Sequence, residues 1–416
     1  MDQIKKISNR NYRRFIDIVA NSYPGFGLNT DESRLKATVR LLKVQRENPE
    51  ISTWGYFRDR KLLGGIRLFD FVMTMFETEI PVGGGGLLAV DLLYKREKVA
   101  RGLMEYFINH YLKMGTCLTT LYPFRPDFYR RMGWGYGAKY NEYVVKPGDF
   151  PDFGSKEHIV YLNSKDYSAV KDCYNRYAAV THGMFRKCKY EFGYFGRPEM
   201  RLVGFKQGRR ILGYLAFEFK QLEKDNFIRN DIKIFEFIYE SREAFSELIT
   251  FLHTQDDQIN LIRFPTSDDH LHFIPYDPRD HSDQLVGMIN HRVNAQGIGI
   301  MYRVIDTPGI FRQLKKHNFN NGNGRLKITI NDSFLKSNNG STFVDFVNGH
   351  SEVISGGKYD VEIKMDISDF SSMLMGVIDF ESLYRYRRTE ISDPNSLTTV
   401  NRIFKSDRKP QCTTQF

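Results

Sequence analysis

The most constraining stretch of this sequence is Gly83-Gly84-Gly85-Gly86-Leu87-Leu88-Ala89-Val90-Asp91, with Tyr94-Lys95-Arg96-Glu97-Lys98-Val99-Ala100-Arg101 close behind it. The glycines lead into an apolar strand over 87–90. A polar turn then opens directly into a helix, whose apolar positions Ala100, Leu103, Met104, Phe107, Tyr111 and Met114 recur at three- and four-residue steps. A strand that passes through a basic turn into a helix N-terminus offers unpaired amides and the positive end of the helix dipole, an arrangement that favours a phosphate. Lys95, Arg96 and Lys98 would add charge-assisted contacts. No GK[ST] is present, so this is not a P-loop, and the glycines precede the strand instead of following it, so it is not a Rossmann fingerprint. On composition alone, a solvated charged turn accounts for the same residues.

The surrounding pattern is α/β. Helical spacing covers 5–21 and 31–45, with Asp31 as the expected N-cap of the second helix. Strands follow over 54–58 and 62–71 about the turn 59–61, and the sheet continues over 71–79. A further strand over 116–121 precedes a short helix after Pro126. Pro147, Gly148, Pro151 and Gly154 punctuate a boundary. Beyond it, LVGFKQGRRILGYLAFEF (202–219) lies without gaps under WGYFRDRKLLGGIRLFDF (54–71), which points to a duplicated α/β unit. The second copy has no counterpart of the glycine-rich strand and basic turn. A last unit from about 300 reads as strands over 302–304, 326–330, 342–347 and 361–365 followed by two helices, Asp369 being the expected cap of the first, from Phe370. Its tail, Pro410 to an apolar Phe416, is expected to dock. The expected division is 1–150, 151–298 and 299–416.

Composition narrows the function classes. A chain of 416 residues with 41% hydrophobic and 26% charged residues is long enough for several independent cores. Lys plus Arg number 60 against 50 Asp plus Glu, a net charge of +10, but the basic residues are dispersed. There is no basic tail, zinc-finger spacing or RNP-like strand, so no nucleic-acid partner is expected. Cys117, Cys173, Cys188 and Cys412 form no CxxC pair, which fits a reducing compartment and neither a disulfide framework nor a structural zinc. His270 and His272 lie two apart without a third ligand and read as one face of a strand; no metal is expected. The first residues lack the apolar core of a secretory leader and no run approaches 18 apolar residues, so the expected location is the cytoplasm, with no membrane partner.

A second segment carries chemistry: Leu121-Tyr122-Pro123-Phe124-Arg125-Pro126-Asp127-Phe128-Tyr129-Arg130-Arg131-Met132-Gly133-Trp134. Tyr129 falls on a short helix one sheet position from the phosphate turn. A tyrosine with a reference pKa of about 10 is protonated at pH 7 and can give its proton to a leaving thiolate.

Together the two segments resemble the GCN5-related N-acetyltransferase (GNAT) family, whose acetyl-CoA site has the pattern R/Q-x-x-G-x-G/A. Here it reads Lys95-x-x-Lys98-x-Ala100, with lysine where glycine is usual. The order of the whole chain resembles the enhanced-intracellular-survival (Eis) acetyltransferases and their relatives in Gram-positive bacteria. That order is one acetyltransferase-like unit, a second degenerate one, a sterol-carrier-like domain and a terminal Pro410-x-Cys412-x-x-x-Phe416. The resemblance implies tandem GNAT-like domains with mixed central sheets, followed by a sterol-carrier-like α+β domain. It implies Tyr129 as general acid and the terminal carboxylate of Phe416 as general base. The pantetheine arm of acetyl-CoA would lie on the backbone of Leu88, Ala89 and Val90, with an amide near Val90 as oxyanion donor. The pyrophosphate would lie on the loop and helix start made by Lys95, Arg96, Glu97, Lys98, Val99, Ala100 and Arg101. The acceptor would be a primary amine of an aminoglycoside, a polyamine or a lysine side chain, attacked directly without an acyl-enzyme, and the assembly would be a homo-hexamer. The competing class is a non-enzymatic carrier that uses the last domain for an apolar ligand.

Overall fold

The computed structural model describes residues 2–416, the side chain of Tyr194 aside. The chain divides into two compact units. One combines the residues up to Gly137 with Ile300–Lys409 and Phe416; the other combines Ala138–Gly299 with Pro410–Gln415.

In the first unit the elements run β1 (Asp2–Lys6), α1 (Asn9–Ser22), α2 (Asp31–Glu47), β2 (Ile51–Arg58), β3 (Lys61–Met75), β4 (Thr78–Val90), α3 (Val99–Lys113), β5 (Leu118–Leu121), α4 (Pro126–Arg130) and β6 (Gly135–Tyr136). The sheet has the order β1-β2-β3-β4-β5, then the strand Met301–Val304, then β6. Its first four strands are antiparallel and β4–β5 is parallel, so the sheet is mixed. Two details depart from the sequence reading. Residues 2–6 form an edge strand instead of opening the first helix, because DQIKK pairs with β2 from Asp2↔Arg58 to Lys6↔Trp54. The cap of α2 is Thr30, not Asp31: the Thr30 hydroxyl accepts the Ser33 amide at 3.1 Å and the Ser33 hydroxyl accepts the Thr30 amide at 3.2 Å, a reciprocal capping box.

The glycine run lies inside β4, not ahead of it, and its cause is steric. A Cβ on Gly83 would meet the Tyr111 ring at 2.3 Å and one on Gly85 the Phe107 ring at 2.8 Å, both on α3. On the other face, a Cβ on Gly84 would meet the Phe71 ring at 2.4 Å. Aromatic rings therefore press directly on the backbone from both sides.

The C-terminal part of this unit is a five-stranded sheet in the order His350–Ile354, Gly340–Val347, Gly324–Asn331, Val361–Asp366, Thr389–Ile391, with the helices Thr307–Gln313, Ile367–Leu374, Phe380–Arg385 and Leu397–Phe404 around it. A buried ion pair fastens it: Arg303, fully buried, donates to Asp332 at 2.8 and 2.9 Å and lies over the Trp134 ring. Gly133, at φ +90°, makes room, since a Cβ there would stand 1.6 Å from the Arg303 Nη1. Asp369 does not cap its helix. Asp366 does, accepting the Ser368 amide at 2.8 Å.

The second unit has a seven-stranded sheet in the order Asn294–Ile298, Lys139–Val145, Ile259–Thr266, Asn226–Tyr239, Arg210–Glu223, Met200–Gln207, Ile159–Tyr161, with the helices Tyr167–Val180 and Arg242–His253. Its leading hairpin repeats that of β2–β3 down to the bulge. Leu63 is the extra residue between the pairs Phe57↔Leu62 and Tyr56↔Gly64, and Leu212 is the extra residue between Lys206↔Ile211 and Phe205↔Gly213. The turns sit at Asp59-Arg60 and Gly208-Arg209, so the ungapped alignment is one residue out and Gly213 corresponds to Gly64, not Gly65. His270 precedes the short 3-10 turn Leu271–Phe273 and is not in a strand. Within this unit the segment 410–415 is held by the Gln411 amide on the His182 carbonyl (2.8 Å) and the Tyr177 hydroxyl on Gln411 (3.0 Å).

Candidate active site

β4 is paired on its β5 side only over residues 82–85. At Gly86 the ladder with β3 shifts register, passing from Arg67↔Gly86 to Gly65↔Ala89, and Leu87 takes φ +49°. A bulge at this place re-aims the strand, a device common beside active sites. Gly86 and Leu87 face the α1 side, whereas Leu88 and Val90 pack into the α3-side cluster that contains Tyr129 and Trp134. Beyond the bulge the β5-facing edge of residues 87–90 has no strand partner. The carbonyls of Leu88 and Val90 on this edge accept the hydroxyls of Tyr23 (2.5 Å) and Ser22 (3.1 Å). N–H and C=O of one residue point to the same edge of a strand, so the amides of Leu88 and Val90 lie on it too. An extended amide-bearing chain such as a pantetheine arm fits that edge.

From Val90 the chain turns through Asp91, whose carboxylate is ion-paired with Arg14 and accepts the Leu93 amide at 3.1 Å. Arg96 and Lys98 both adopt left-handed backbone, at φ +68° and +63°. Lys98 is the N-cap of α3, its carbonyl accepting the Gly102 amide at 2.9 Å. The lysine thus takes up the conformation for which glycine is usual, and the first amides of α3, at Val99, Ala100 and Arg101, remain at the helix start. Lys95, Arg96 and Lys98 are exposed there. Glu97 turns away to Arg58, which it meets at 2.5 Å and which also binds Asp2 at 2.9 Å, so the acid in the loop is neutralised. This is a fitting cradle for a pyrophosphate.

Tyr129, on α4, is 6% exposed and its ring packs against Phe128 and Trp134. Burial first, and the neighbouring Tyr23 phenol second, push its hydroxyl well above the usual tyrosine pKa, so it holds its proton throughout the neutral range. α4 is anchored by a residue that local sequence presents only as a helix cap. Asp369, 4% exposed at its side chain, accepts Arg130 at 2.5 Å and Arg388 at 2.7 Å.

Phe416 lies on the opposite face. Its ring contacts Phe71 at 4.9 Å, Phe69 at 5.3 Å and Tyr122 at 5.4 Å between centroids. Its backbone carbonyl end sits over Gly86: a Cβ there would be 3.2 Å from the Phe416 carbonyl carbon and 3.3 Å from its oxygen. In the sequence Gly86 is one member of a glycine run; in the fold its absent side chain is what admits the chain end. The bulged edge of β4 therefore has Tyr129 on one face and Phe416 on the other. Leu88, Ala89 and Val90 lie between them, and the loop and helix start from Lys95 to Arg101 follow. Among the described residues no three His, Cys, Asp or Glu side chains cluster as metal ligands.

This fold, with one strand released from its neighbour beside a helix N-terminus, defines an acetyltransferase of the GNAT class. An acetyltransferase (GNAT) domain matches residues 3–137 and a second matches residues 191–304, while a sterol carrier protein domain matches residues 310–413. The second GNAT domain lacks the cradle, since Asn226–Tyr239 passes within two residues, through the Ser241 cap, into Arg242–His253. Over 100% of both chains the fold is similar to a GCN5-related N-acetyltransferase from Anabaena variabilis (16% identity, TM-score 0.82). It is likewise similar to one from Kribbella flavida (14%, 0.76) and to Eis1 from Mycobacterium abscessus (17%, 0.76), again over 100% of both chains. At these identities the likeness is one of fold. No curated protein matches the chain in sequence.

Proposed function

We propose that the chain is an Eis-like acetyl-CoA-dependent N-acetyltransferase of the type found in Gram-positive bacteria, acting on a primary amine of a small molecule or a lysine side chain. Bound acetyl-CoA supplies an activated acetyl group as a thioester. The open edge of β4 at Leu88 to Val90 orients the pantetheine arm, and an amide near Val90 donates to the thioester carbonyl oxygen. The α-carboxylate of Phe416 takes the proton that the attacking amine must lose, and the Tyr129 hydroxyl gives its proton to the departing sulfur. Aminoglycosides, polyamines and lysine side chains all carry the required amine. The observation that carries the reading is the seat of Phe416 over Gly86, across the strand from Tyr129. The resemblance adds hexameric assembly, and four free cysteines fit a cytoplasmic location. No helix among the described residues is long and apolar enough to cross a membrane.

A carrier function for the last domain receives less support. A groove of about 440 Å³ there is lined by Lys364, Asp366, Arg387, Arg388 and Glu390 among others, a polar lining for an apolar ligand. The test is thiol release from acetyl-CoA with a panel of amines, comparing wild type with Tyr129→Phe and with a chain lacking Phe416. Loss of turnover in both variants, with the acetyl-CoA melting shift retained, is the expected result. No thiol release with any amine, and no melting shift, would sink the proposal.

A further inference from the structure

The rings on the Phe416 side of β4 continue outward. Two residues beyond Tyr122, Phe124 meets Tyr23 edge-on at 5.4 Å, and Tyr23 stacks on Phe26 at 5.0 Å with ring planes 11° apart. The bond from the Tyr23 hydroxyl to the Leu88 carbonyl ties this group to the reacting stretch of strand. Yet Phe26 is 57% exposed and Phe124 68%. Scattered exposed rings need no explanation, but rings clustered at the mouth of a site mark a ligand surface.

The charges beside them are unsuited to a polycation. Asp31 is bound by Arg13 at 2.6 Å, Asp17 by Arg34 at 3.4 Å and Glu32 by Lys36 at 2.6 Å, and Asp91 is paired with Arg14. Asp17 on α1, Asp31 and Glu32 on α2 and Asp91 at the strand exit, which could attract a second or third ammonium group, thus each already have a cation. On the same face of β3, Arg67 is 8% exposed with its guanidinium 5.4 Å from the Phe69 ring, so the buried ionic side chain beneath the Phe416 seat is a cation.

We infer that the acceptor is an arylalkylamine, a single primary amine on an aromatic body, whose ring lies against Phe26 and Phe124 while its amino group reaches the Phe416 carboxylate. The inference rests on the acetyltransferase reading above. The neutral amine nitrogen bonds to the acetyl carbon as the carbon–sulfur bond breaks; the one proton that nitrogen must then shed passes to the Phe416 carboxylate and the Tyr129 proton to the sulfur, leaving an N-acetyl amide and free thiol, and the proton on Phe416 returns by way of solvent to the Tyr129 oxygen.

The full chain is assayed for thiol release from acetyl-CoA with phenethylamine, butylamine, spermidine and an aminoglycoside. Binding of phenethylamine to the protein alone is measured by calorimetry. Two ring contacts should favour phenethylamine over butylamine by about 10- to 100-fold in kcat/KM, with spermidine no better than butylamine. In the Phe26→Ala/Phe124→Ala variant that ratio should fall about tenfold, and phenethylamine should bind more weakly by a similar factor. A preference for spermidine or the aminoglycoside, or an unchanged ratio in the double variant, overturns the inference. If acetyl-CoA raises the melting temperature but no aryl preference appears, only this inference fails; if neither a shift nor thiol release is seen, the acetyltransferase reading fails with it.

Discussion

Replacing Gly86 by alanine perturbs the seat of Phe416 and little else. Gly86 has no left-handed φ, so alanine can adopt its backbone unstrained. The new methyl would stand 3.2 Å from the Phe416 carbonyl carbon, 3.3 Å from its oxygen and 3.2 Å from Phe69 Cε2. Carbon atoms in relaxed contact lie about 3.5–4.0 Å apart, so the chain end has to retreat by roughly 0.3–0.8 Å. Misplacement of a catalytic group by about 1 Å is worth up to ~10²-fold, so kcat should fall by about tenfold. The chain end can yield, so overpacking should remove no more than about 1 kcal/mol of stability. Thiol release at saturating acetyl-CoA and amine measures the first quantity, thermal unfolding the second, and the acetyl-CoA melting shift reports whether the cosubstrate still binds. Gly85→Ala is the control: its methyl meets the Phe107 ring at 2.8 Å on the other face, which should lower stability without moving Phe416. Wild-type kcat in Gly86→Ala, or an equal loss of kcat per folded molecule in Gly85→Ala, would refute the reasoning.

Three further outcomes are expected. Asp332→Ala leaves the fully buried Arg303 cation without its carboxylate and should cost about 3–5 kcal/mol, read as a lowered denaturation midpoint. Lys98→Gly relieves a left-handed residue and should stabilise by about 1 kcal/mol while leaving the acetyl-CoA melting shift at least as large. In the second unit burial raises the Glu191 carboxyl to about 7, against Lys187 and the Cys188 amide, which oppose the shift. Its folded pKa lies above its unfolded value, so its contribution is fully present below about pH 4.5 and is lost as pH rises through 7. Wild type should therefore lose about 3 kcal/mol relative to Glu191→Gln across that window, seen as converging or crossing melting curves.

The architecture of the first GNAT domain was legible where it is local. The strand, basic turn and helix of 87–101, and the short helix bearing Tyr129, each announce themselves through periodicity, proline and charge. What local sequence could not display depends on partners far along the chain. Met301–Val304 takes its place beside β5 only because distant backbone pairs there. Asp369 reads as a helix cap, the commonest use of an aspartate before a helical run, yet two arginines from other segments claim it. The glycine run reads as a flexible approach to a strand; only the rings of Tyr111, Phe107 and Phe71, and the chain end at Phe416, explain why four residues lack side chains. The hairpin duplication was visible, but a one-residue shift of the turn escapes an ungapped comparison because alternating strands match equally well by side-chain type.

The most direct test of the central claim is to append one alanine after Phe416 and measure thiol release. The Phe416 ring can still pack on Phe69, Phe71 and Tyr122, while the carboxylate is carried one residue away. The account predicts a loss of turnover of about 100-fold or more, the usual scale of general base catalysis, with the acetyl-CoA melting shift intact. Turnover equal to wild type in the extended chain would contradict it.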